Sequence, residues 1–188
     1  MKNYLQFLLT GLILGLFTEV ELKLIAGINP SMFITVLFAY RVILTMSYAG
    51  SKLLGRFISS QWKGDLLHYS AAGFFGLAIE WILLGNGPGS NSLQLGMFAM
   101  WTTFCFGPRI LTRDSPAIKK DRRKFWIAFA VAAMLITTVV LLAPHLKAKI
   151  VITALALSGT YLIWSIWLLI LVWQSNRNIQ LATTIHDA

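Results

Sequence analysis

Polar and apolar residues fall in long blocks along this chain, not in residue-by-residue alternation. The apolar runs are Tyr4–Ile25, Pro30–Ala49, Leu66–Leu84, Leu93–Leu111, Phe125–Ala143 and Ile150–Trp173. Each is close to the length, about 20 residues, that a helix needs to cross a hydrocarbon core. Transmembrane β-strands would show alternating segments of about ten residues instead. The pattern therefore predicts an all-α integral membrane protein, a bundle of six transmembrane helices. The joints are short, so residues 1–188 are expected to form a single polytopic membrane domain. Lys2 followed by an apolar run resembles a signal sequence, but Thr18-Glu19-Val20-Glu21 replaces a small-residue cleavage pattern. The first run is expected to stay as an uncleaved span.

Composition agrees. Hydrophobic residues make up 57% of the chain and charged residues 12%. Soluble domains average about 45–50% and about 25%. A fold of this length leaves too much surface exposed to hide that excess from water.

Charge sets the expected orientation. Twelve cations lie on one side of the spans: Lys2, Lys52, Arg56, Lys63, Arg109, Arg113, Lys119, Lys120, Arg122, Arg123, Lys124 and Arg177. Three lie on the other: Lys23, Lys147 and Lys149. By the positive-inside rule both termini should be cytoplasmic. A bacterial-type inner membrane is the expected location.

Glu80 is the most costly residue for such a chain, a carboxylate inside an apolar run. Tyr69, Ala72, Gly73 and Gly76 share its helix face. Gly73 and Gly76 would let a neighbouring helix approach, so this face should point into the bundle. Burial disfavours a charged carboxylate unless a cation or hydrogen bonds compensate. Glu80 is then either an ion- or proton-coupled group or a structural acid tied to a neighbouring helix.

In the first run Gly11, Gly15, Glu19 and Lys23 stand four residues apart and form one line along a helix. Gly11 and Gly15 read as a helix-packing pair. Glu19 and Lys23 can pair with each other at i,i+4. The alternation Glu19-Val20-Glu21-Leu22-Lys23-Leu24 also allows a non-helical surface segment. Gly15–Glu19 echoes Gly76–Glu80 weakly, and chance explains that better than a repeat. Arg41 lies near the middle of the second run. It is expected to point into the bundle against an acidic or backbone-carbonyl partner. Glu80, Arg41 and Glu19 together make the expected binding site for a substrate or ion.

Other features have ordinary readings. Gly85–Ser92 reads as a tight polar hairpin more readily than as an anion nest. His68 and Glu80 are about 18 Å apart by helical rise, too far to share a metal. Neither a metal nor another cofactor is expected. Cys105 is the only cysteine, which excludes an internal disulfide. Met97, Met100, Trp101 and Phe104 share a face, as do Trp164 and Trp167, and helix packing accounts for both. The cationic joint Arg109–Lys124 is topogenic first. It is also where anionic lipid head groups or a partner protein would bind. A second copy of the chain and the lipid bilayer complete the expected partners. Nucleic acid is not among them, because no aromatics interleave the cations. No recognised catalytic motif is present.

The expected function is therefore a transporter or channel built on Glu80 and Arg41. A structural or assembly subunit of a membrane complex is the alternative, followed by an intramembrane enzyme acting on a lipid or isoprenoid.

Overall fold

The computed structural model describes residues 2–26, 30–88 and 93–186, except the side chains of residues 2, 21–33, 35, 36, 117 and 178–186. Among these are six helices and no strand. They are α1 (Lys2–Ala26), α2 (Pro30–Phe57), α3 (Gln61–Ile82), α4 (Gln94–Leu111), α5 (Pro116–Leu142) and α6 (Leu146–His186).

Several helices outrun their apolar blocks, although α4 does not. α1 stays helical through Ala26, so the alternating stretch from Glu19 to Leu24 is not an irregular surface segment. α2 continues eight residues past Ala49, and α5 begins nine residues before Phe125. Helix propensity does not require apolar side chains, and lysine and arginine are good helix formers. Only residues 112–115 of the cationic joint lie outside helices. Pro116 opens α5 at a position where its missing N–H costs nothing.

Among the described residues, three helices contain stretches long and apolar enough to cross a membrane, over Asn3–Val20, Ile118–Leu142 and Leu146–Arg177. The other three carry polar or charged residues along their length. α2 carries Arg41, Lys52 and Arg56, α3 carries Lys63, Asp65 and Glu80, and α4 carries Thr102, Thr103 and Arg109. These three helices hold most of the buried polar groups.

α4 is the axis of the bundle and packs against all five other helices. Every residue from Trp101 to Pro108 is buried, which leaves no solvated face over two turns. A helix without charge on any face over such a length belongs inside. Around it lies an aromatic core. Phe129 stacks on Trp164 at 4.6 Å between ring centres, and Tyr40 lies 4.5 Å from Phe104. The Tyr161 hydroxyl donates to the Leu14 carbonyl at 2.7 Å, so Thr18 must be the donor in its 2.6 Å bond to Tyr161. That pair ties α6 to α1.

Glycines set the closest helix approaches. A Cβ built on Gly15 would stand 2.7 Å from Phe104 and 2.8 Å from Tyr40. The same atom would overlap Leu44 at Gly11, Phe98 at Gly73 and Trp101 at Gly76.

Candidate functional site

Two polar centres lie at opposite ends of the α3–α4 contact. The first is built on Glu80, which is buried. The Trp101 indole N–H donates to Oε1 at 3.0 Å, and the Asn86 amide donates to Oε2 at 2.8 Å. The turn after α3 closes over this carboxylate. Gly85 takes φ +72°, a left-handed conformation that costs glycine little. That reversal brings the Asn86 backbone N–H to the Glu80 carbonyl at 2.8 Å. Gln94 then holds the turn from α4, donating to the carbonyls of Asn86 at 3.1 Å and Gly87 at 3.2 Å. The Gln94 amide oxygen accepts from the Trp81 indole at 2.6 Å. Gly89 to Ser92, the rest of the hairpin, lie outside the described residues.

Glu19 sits beside this centre on α1 and accepts from the Tyr40 hydroxyl at 2.8 Å. Arg41 does not join them. A step of one residue turns a side chain by about 100° around a helix, so Tyr40 faces inward and Arg41 lies exposed. Among the described residues no ion pair links Arg41 to an acid. The side chain of Lys23, the other expected partner of Glu19, lies outside the described residues.

The second centre was not anticipated from the sequence. Asp65, at the start of α3, is fully buried. Arg109 Nε donates to its Oδ1 at 2.9 Å. Arg113 Nη2 donates to both carboxylate oxygens, at 2.7 Å and 2.8 Å. Arg109 Nη1 reaches the Ser51 carbonyl on α2 at 2.8 Å. One carboxylate thus fixes two guanidiniums, one in the last turn of α4 and one just past it, and links three helices. Arg113 Nη1 is buried and has no hydrogen-bond partner among the described residues. A signal for Asp65 did exist. Asp65 and His68 continue, one turn at a time, the same face that carries Ala72, Gly73, Gly76 and Glu80.

The two arginines form one wall of a cavity of about 1000 Å³. It opens between the start of α1, the end of α2, the end of α4 and the start of α5. Six cations line it: Lys52, Arg56, Arg109, Arg113, Lys119 and Arg122. Asp114 is the one acid in the wall, and Asp65 stands behind it. Four positive charges remain uncompensated. Asp114 is itself engaged: a hydrogen bond from Lys119, and that lysine's charge, hold its carboxyl below the usual range. Arg122 Nη1 donates to the Leu111 carbonyl at 3.2 Å, which anchors α5 to the end of α4.

His68 lies between the two centres and is buried. Ser47 donates its hydroxyl proton to the Cys105 carbonyl at 2.8 Å, so His68 Nε2 must donate to Ser47 in their 2.9 Å contact. That assigns the Nε2–H tautomer and leaves Nδ1 without a partner among the described residues. Cys105, Ser47 and His68 border a second, apolar cavity of about 330 Å³ between α2 and α3. Among the described residues no group of three metal-ligating side chains comes together. Compared with family models, curated proteins and solved structures, the chain matches none.

Proposed function

We propose that this chain is a six-span membrane protein, with both termini on the cytoplasmic side, that binds a phosphate-bearing anion at its cytoplasmic end. The observation that carries this reading is the cavity of about 1000 Å³ with six cations in its wall. Guanidinium and ammonium groups gathered around one cavity repel one another, and an anion relieves that repulsion. Arginine forks match phosphate oxygens, and Arg109 and Arg113 are already oriented by Asp65. The cation asymmetry supports the topology, since the cavity cations belong to the side expected to face the cytoplasm.

The coupled-carrier reading on Glu80, Arg41 and Glu19 has less support. Glu80 is packed and accepts two side-chain hydrogen bonds, and the cavities described above are lined by other residues. A tied acid favours a structural role for Glu80.

The test is a thermal-shift and calorimetric titration of the purified protein in neutral detergent. Pyrophosphate and glycerol 3-phosphate are the probes, with chloride as control. Saturable stabilisation by the phosphates is expected, and it should fall at least tenfold in affinity in Lys52→Gln/Arg56→Gln. Binding that is absent, or unchanged in the double variant, would overturn the reading.

A further inference from the structure

The cationic cavity does not end at α5. Lys119 and Arg122 also border a shallow groove of about 480 Å³, whose remaining walls are Arg123, Trp126, Ile127 and Ala130. These six positions follow each other by three, one, three, one and three residues, so they form one face of α5. Along that face the chemistry changes once. Lys119, Arg122 and Arg123 come first, and Trp126, Ile127 and Ala130 follow. The face spans about 16 Å at helical rise.

That polarity fits an amphiphile lying parallel to the helix. A small anion would use the cationic end and leave the apolar end empty. The apolar half also belongs to a helix that the bundle covers poorly, with only 22% of Ile118–Leu142 buried. Ala130 is exposed and small, which leaves room along the face where a larger side chain would stand. Trp126 is half-buried at the change from cationic to apolar positions, the depth at which amphipathic rings settle.

We infer that the ligand of the cationic cavity is an anionic lipid, its phosphate held between Lys119 and Arg122 and its apolar chain laid along Trp126, Ile127 and Ala130. This inference rests on the anion-binding reading and adds to it the class of molecule and the direction of entry, sideways from the bilayer.

The test compares two probes on one protein. Phosphatidic acid is titrated into nanodiscs of neutral lipid and read by native mass spectrometry. Glycerol 3-phosphate is titrated separately and read by calorimetry. Two variants fill or strip the groove, Ala130→Trp and Ile127→Ser, both at exposed positions. The expected result is lipid binding at least tenfold tighter than the soluble head group. Ala130→Trp and Ile127→Ser should each weaken the lipid at least fivefold and leave glycerol 3-phosphate within twofold. If the soluble probe binds as tightly as the lipid, or if neither variant affects the lipid, the lipid assignment is overturned and anion binding stands. If neither probe binds, both readings fall.

Discussion

Asp65 and Glu80 stand on one face of α3, and α4 holds both carboxylates: Arg109 takes Asp65 at 2.9 Å, and Trp101 takes Glu80 at 3.0 Å. The two acids are about 22 Å apart at helical rise. The α3–α4 contact is therefore pinned near each end, and Gly73 and Gly76 supply the close approach between the pins. These bonds are directional, so they define a register that apolar packing alone would leave open to sliding.

Replacing Asp65 should cost more than any other single change at the cationic end. Asp65→Ala leaves two partly buried guanidiniums without their shared acceptor, and breaking a fully buried pair this way costs about 3–5 kcal/mol. Both arginines keep some solvent access, so the low end of that range is expected. Asp65→Ala/Arg113→Ala should lose less than the sum of the two single variants, because the second change removes one of the charges left stranded. Thermal unfolding in detergent, run as a double-mutant cycle, measures both. Additive losses would show that Asp65 and Arg113 do not act as a pair.

At the other end, Glu80→Leu strands the Trp101 indole N–H and the Asn86 amide, each at about 1–3 kcal/mol. Glu80→Gln keeps one acceptor and should lose about 1 kcal/mol. A flux assay on reconstituted Glu80→Gln separates this structural role from a coupled carrier. Retained stability with abolished flux would restore the carrier reading.

Glycine substitutions should divide by contact. At Gly76 a methyl group would overlap Trp101, so Gly76→Ala displaces the ring that holds Glu80. Overpacking of this kind costs about 1–3 kcal/mol. At Gly159, inside α6, an added Cβ meets nothing within 4 Å, and Gly159→Ala should stabilise by up to about 1 kcal/mol through helix propensity. Opposite signs in the melting temperature are the expected readout.

Arg41 should behave as a surface residue. It is exposed on α2, so Arg41→Gln is expected to shift stability by less than about 0.5 kcal/mol. On the six-span reading, Arg41→Leu should also ease membrane insertion of α2, since a central arginine opposes it by about 3 kcal/mol on insertion scales. Glycosylation reporters fused around α2 measure the second effect.

What could be read from the sequence followed a physical divide. Block hydropathy reports which stretches avoid water, and each of the six blocks falls largely on one helix. It does not report where a helix stops, because Gly50 to Phe57 and Pro116 to Lys124 are helical without being apolar. Position along a helix was legible but rotation was not. Arg41 drew attention by its charge, whereas the neighbouring Tyr40 is the residue that faces Glu19. Asp65 was missed because it stands one residue outside its apolar block and looked like part of a joint. Only the i, i+3, i+4 face of α3 connects it to Glu80. The cations of Arg109–Lys124 were visible individually, but their convergence with Lys52 and Arg56 on one cavity depends on how four helix ends meet.

The burial of α4 on every side has a consequence for how the protein is made. Ribosomal synthesis delivers α4 before α5 and α6, the two helices that close over it. Until they arrive, Trp101, Phe104 and Phe106 already have partners on α2 and α3, but the surface of α4 that meets α6 is open. The central helix therefore waits for part of its cover. Interrupting synthesis between α4 and α6 would leave an intermediate with that surface unpartnered.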